Sequence, residues 1–166
     1  MHKTFLAAAI LALFALRAPA IAAVAPYAKL ANALGTSNLA NSSGPKDRSQ
    51  LLLHFVRRGE TYERWTKMTT VSIVRVPAGD TNGATRAIIL RLRARLSATH
   101  AHVTSFDQSP ITPVSGYFAF RAAHESDAGI VYSPSPGYVT VAQLGVRGSQ
   151  AISKIDIAQL RSVIGK

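Results

Sequence analysis

The chain has no cysteine among its 166 residues. That excludes disulfides, thiol nucleophiles, iron–sulfur clusters, Cys-ligated zinc and a lipid-modified N-terminal cysteine. Acidic residues are scarce: 8 Asp and Glu stand against 19 Lys and Arg, a formal charge of +11. There is no G-x-S-x-G elbow, no Walker lysine and no dinucleotide-type glycine spacing, so the common hydrolase and nucleotide signatures are absent. What is present is a 48% apolar composition, ample for a hydrophobic core and incompatible with wholesale disorder.

The longest apolar run lies at the start. His2 and Lys3 precede the uninterrupted stretch from Phe5 to Leu16, and Ala18-Pro19-Ala20-Ile21-Ala22 adds a helix breaker and small residues. This is the pattern of a secretory signal over residues 1–22, with cleavage after Ala22 or Ala23. Arg17 ends the run short of the roughly 20 residues a spanning helix needs. A retained membrane anchor is the competing reading. Removing residues 1–22 takes away Lys3 and Arg17 and leaves 17 basic and 8 acidic side chains, a formal +9. The expected location is the periplasm or the cell exterior.

Residues 23–49 read as a flexible linker, rich in Ala, Asn, Ser and Gly, with at most a short helix over Tyr27–Leu34. Residues 50–166 read as one α+β domain. Leu51–Val56 and Met68–Val76 have strand length and β-branched content, and Pro77 to Gly83 is a turn cluster. Thr85–Ala98 reads both ways: Leu90 to Leu96 alternates like a strand, while Ile88, Ile89, Leu92 and Leu96 form a helical stripe. Its length and its Ala, Leu and Arg content favour helix. Strands are expected near Ala101–Phe106, Gly116–Arg121, Gly129–Tyr132 and Tyr138–Val146, with Asp127-Ala128-Gly129 as a hairpin turn. Ser153 and Asp156 form a capping box opening a last helix with Ile157, Leu160 and Ile164 on its buried stripe. The expectation is an antiparallel sheet of five or six strands covered by two helices, an α-β-α sandwich.

The stretch Glu63-Arg64-Trp65-Thr66-Lys67-Met68-Thr69-Thr70-Val71 resembles the entry into a long strand in the PsbP-like family, including its bacterial secreted members. An amphipathic helix after that strand, then an aromatic strand, a meander and a terminal helix, extend the resemblance over roughly residues 50–164. It implies an α-β-α sandwich with an accessory or binding role, and no shared catalytic constellation or cofactor.

Four features carry candidate chemistry. Arg86, Arg91, Arg93 and Arg95 flank the stripe of the 85–98 segment, a cationic surface suited to anionic lipid or another polyanion. Nothing points to specific nucleic-acid binding. Trp65 is a candidate to line a groove, although a large aromatic contributes most when buried. His100 and His102 are weak metal candidates, with His124, Glu125 and Asp127 as further donors, but a histidine pair near a helix end equally complements the helix dipole. Gly145-Val146-Arg147-Gly148-Ser149 suits a strand-to-helix turn. The leading expectation is a non-enzymatic exported protein acting on an unknown envelope protein. The alternative is a protein that binds polyanions or a membrane surface; a small metal protein or hydrolase comes third. A protein-partner role predicts an exposed apolar patch of several hundred Å2.

Overall fold

The computed structural model describes residues 18–47, 49–98, 102–109, 115–122, 124–148 and 150–164. Its frame is a seven-stranded antiparallel sheet: β1 (Asn38–Ser43), β2 (Gln50–Val56), β3 (Lys67–Arg75), β4 (His102–Ser109), β5 (Ser115–Ala122), β6 (Glu125–Ser135) and β7 (Tyr138–Arg147). Among the described residues three α-helices accompany it: α1 (Ala18–Ala33), α2 (Thr81–Ala98) and α3 (Lys154–Ile164). The spatial order is β1-β2-β3-β7-β6-β5-β4. The chain leaves the sheet after β3, crosses one face as α2, re-enters at the far edge as β4 and meanders back until β7 closes against β3.

Alternation sorts the sheet into two apolar faces. On one, Leu53, Phe55, Val71, Tyr117, Ala128, Ile130, Ala142 and Leu144 pack with Tyr27, Ala31 and Leu34 of the α1 region and Leu160 of α3. On the other, Phe118, Val131 and Val139 receive Ile89 of α2. The α-β-α layering is thus the expected one, with one more strand and one more helix than expected.

The added strand and most of the added helix come from the segment read as a linker, and α1 begins at Ala18, within the residues read as a signal. The linker reading is corrected: α1 occupies Ala18–Ala33 and its end is built with specific bonds. Gly35 takes φ 76°, and its amide donates to Asn32 O at 3.0 Å while Thr36 N donates to Ala31 O at 2.8 Å. This is a Schellman stop, which glycine reaches without a Cβ penalty. The Thr36 hydroxyl lies 3.0 Å from Ala31 O and 2.6 Å from Thr69 Oγ1, so the end of α1 is bonded to β3. Tyr27 OH meets Thr140 Oγ1 at 3.1 Å on β7. β1 then adds an edge strand of mostly exposed polar residues along β2. Of the expected signal, residues 1–17 lie outside the described residues. A cut after Ala22 or Ala23 would fall inside α1 and would keep Val24 and the later residues that pack on the sheet.

The helix reading of residues 85–98 is the one the chain adopts, with the start moved back to Thr81. Thr81 Oγ1 donates to Ala78 O at 2.8 Å and accepts from Gly137 N at 2.8 Å, pinning the head of α2 to the β6–β7 hairpin. Ser153 caps α3 as expected, with Asp156 N donating to Ser153 Oγ, while the return contact runs from the Ser153 hydroxyl, which donates to Asp156 Oδ2, rather than from the Ser153 amide of a capping box. The Asp156 carboxylate also accepts two bonds of 2.9 Å from Lys67 Nζ of β3. Both side chains are mostly buried, so this pair fixes where α3 sits.

Because Leu34 is 1% exposed, Leu34→Ala is expected to cost about 2–4 kcal/mol in denaturant unfolding. A residue in a free linker would give a change within about 0.5 kcal/mol.

Candidate functional site: an arginine-flanked helix face and a buried carboxylate pair

The helical period divides α2 into three strips. Thr81, Thr85, Ile88, Ile89 and Leu92 face the sheet, with Ile89 wholly buried. Diametrically opposite, Gly83, Ala87, Leu90 and Ala94 form a small, apolar outer ridge, all exposed, with Leu90 53% accessible. Arg86 and Arg93 border that ridge on one side and Arg91 and Arg95 on the other. All four arginines are exposed. The helix carries no acidic residue.

A second constellation lies on the same face of the sheet, toward its opposite end. The β6–β7 register sets Glu125 opposite Arg147, Asp127 opposite Gly145 and Gly129 opposite Gln143. Since alternate residues share a face, Glu125, Asp127, Gln143 and Arg147 all rise on one side. Gly145 supplies the room. A Cβ there would lie 2.9 Å from Glu125 Oε1, 3.1 Å from Asp127 Oδ1 and 3.4 Å from Trp65 Cη2. Two carboxylate oxygens and the indole edge therefore converge above one backbone position. The Arg147 guanidinium stacks 4.0 Å from the centroid of the Trp65 ring.

Asp127 is 4% exposed and accepts a 2.6 Å bond from Gln143 Nε2. Burial pushes its carboxyl up to about 7; the Gln143 bond opposes that rise, and the Glu125 charge adds to it. Burial also raises Glu125, with the Arg147 charge opposing. At neutral pH the pair thus combines an acid near its own midpoint with a second carboxyl beside a guanidinium. Such an arrangement can take up or release a proton in the neutral range.

The other expected site residues fall elsewhere. Trp65 is 7% exposed, with its indole edge above Gly145 beside the two carboxylates. His100 lies outside the described residues, and His102 opens β4. Among the described residues no group of three His, Cys, Asp or Glu is placed to hold a metal. Asp127-Ala128-Gly129 is not a hairpin turn. It lies inside β6, because the strand begins at Glu125 and His124 takes the turn, its carbonyl bonded to Gly148 N at 2.8 Å. Gly145 to Arg147 likewise complete β7 rather than forming a turn.

The fold therefore defines an α+β protein of the α-β-α sandwich class. No family model matches the chain, and no curated protein matches it. Among solved structures it is similar to cyanobacterial PsbP (CyanoP) from Synechocystis sp. PCC 6803 at 9% identity. That similarity covers 75% of this chain and 86% of the other, with a TM-score of 0.36. A likeness of that degree establishes neither a family nor a function.

The raised Asp127 carboxyl has a definite consequence for stability. The folded state binds this proton more tightly than the unfolded chain, whose Asp titrates near 3.8. Its contribution is fully present below about pH 4 and is lost as pH climbs to about 7. Asp127→Asn keeps an acceptor for Gln143 and removes the ionisation. It is expected to stabilise the protein at pH 8 by on the order of 4 kcal/mol and to change little at pH 4, measured by urea unfolding at both values.

Proposed function

We propose that the protein is exported and docks peripherally onto anionic phospholipid head groups through the outer face of α2. The observation that carries this reading is the four exposed arginines bordering the Gly83-Ala87-Leu90-Ala94 ridge, on a helix without an acid. Guanidinium groups bind phosphate oxygens in pairs, and each basic side chain near an anionic membrane surface contributes about 1 kcal/mol. The ridge between them presents little bulk, so both arginine rows reach the same plane. Leu90 adds an apolar contact at the centre, as in helices that lie along a membrane interface.

A protein partner is the less supported reading. The large apolar residues exposed among those described are Leu39, Tyr62, Leu90, Tyr138 and Ile155, which belong to β1, the β2–β3 connection, α2, β7 and α3. No two of them share a segment, whereas Leu90 and the four arginines lie together on one helix face. Export rests on the signal-like residues 1–22.

Co-sedimentation with vesicles containing phosphatidylglycerol tests the reading. Binding is expected to weaken steeply as salt rises and to vanish on phosphatidylcholine alone. The variant R86Q/R91Q/R93Q/R95Q keeps good helix formers and is expected to bind on the order of a hundredfold or more weakly. Unchanged affinity in that variant, or binding insensitive to salt, would overturn the proposal.

A further inference from the structure

We propose that Glu125, Asp127, Arg147 and Trp65 form a proton-operated latch: a proton held on Asp127 keeps the indole clamped, and its loss draws Arg147 off the ring and releases the indole of Trp65. This goes beyond docking through α2 and does not depend on it.

The clamped state is the one described above, with both carboxylate oxygens and the indole edge within 3.4 Å of a single point over Gly145. Asp127 is only 4% exposed in that state, so its ionised form is poorly hydrated and the protonated form is favoured. Arg147 serves two contacts at once. It lies 4.0 Å over the Trp65 ring, and its charge acts on Glu125 across the register pair. Once Asp127 ionises, two negative charges share the space above Gly145. The nearby guanidinium then gains more by turning to the carboxylates than by remaining on the ring. The acid's position near its neutral-range midpoint places this exchange at ordinary pH.

β6 contributes Glu125 and β7 contributes Arg147 and the Gln143 amide. β5 sets Phe120 opposite Asp127 and β3 sets Met68 opposite Gly145, and neither titrates. Lys67, beside Met68, points to the other face and is engaged with Asp156.

The segment between β2 and β3 carries bonds of its own and is held to the sheet at its ends, where Arg147 N donates to Thr66 O at 2.9 Å and Asn38 Nδ2 donates to Glu60 O at 3.5 Å, so the movable part is the indole of Trp65 between them. Glu60 N donates to Arg57 O, Thr61 N to Arg64 O, and Thr66 Oγ1 to Glu60 Oε1 at 2.5 Å. Arg57 Nη1 also reaches Thr66 Oγ1 at 3.2 Å. Trp65 is its deep anchor, at 7% exposure between neighbours that are all exposed from Thr61 to Thr66.

Trp65 is the chain's one tryptophan, so intrinsic fluorescence reads the latch directly. Between pH 5 and pH 9 the emission of the purified protein is expected to shift to the red, and its acrylamide quenching constant to rise about twofold. The midpoint should fall near pH 7. D127N is expected to remain blue-shifted and weakly quenched throughout. Identical emission and quenching at both pH values would overturn the latch, as would the same transition persisting in D127N, which would assign it to another group. Should D127N not fold, carboxyl-carbon NMR of the unaltered protein decides. Coincident midpoints for Asp127 and the Trp65 indole support the latch, and separate midpoints overturn it.

Discussion

The pairing of β3 with β7 is the contact on which the rest depends. These strands are far apart in sequence, yet they share nine register pairs from Lys67–Val146 to Arg75–Tyr138. The pairing joins β1-β2-β3, which precede the crossover, to the β4–β7 meander that follows it. Without it there would be two separate sheets of three and four strands in place of one continuous core. Each face of the seam then receives its own layer. Thr69 and Thr140 bond the α1 region, Lys67 fixes α3, and the opposite face is left for α2 and the carboxylate pair.

That division separates two kinds of surface. The α1 and α3 side is closed by buried bonds and an ion pair, an arrangement that fixes geometry. The α2 side is less uniform: an apolar contact centred on Ile89 lies at one end and ionisable groups beneath an indole at the other. A buried Asp whose ionisation opposes folding is a local cost, and such costs concentrate where a protein does something other than stay folded.

Much of this was legible from residues alone, and the rest was hidden for physical reasons. The strands after Leu51 declared themselves through alternation, and the α2 arginines followed from helical period. Ser153 and Asp156 announced the start of α3. β1 was hidden because an edge strand exposed on both faces needs no apolar alternation, and NLANSS has none. Tyr27, Ala31 and Leu34 do keep helical spacing and Gly35 marks the stop, but the Asn-, Ser- and Gly-rich stretch after them read as linker. The carboxylate pair was beyond sequence reasoning for a different reason. Asp127-Ala128-Gly129 has turn composition, and only the register of β6 against β7, with Gly145 opposite, reveals a buried acid. Trp65 reaches the same place from a separate connection.

The central claim is that the working surface of this protein is the outer face of α2. Hydrogen–deuterium exchange with and without phosphatidylglycerol vesicles addresses it directly. The account predicts that vesicles slow exchange chiefly across Thr81–Ala98, with α1, α3 and the β1 edge unchanged. Protection on α1, α3 or β1 while α2 exchanges as before would contradict it.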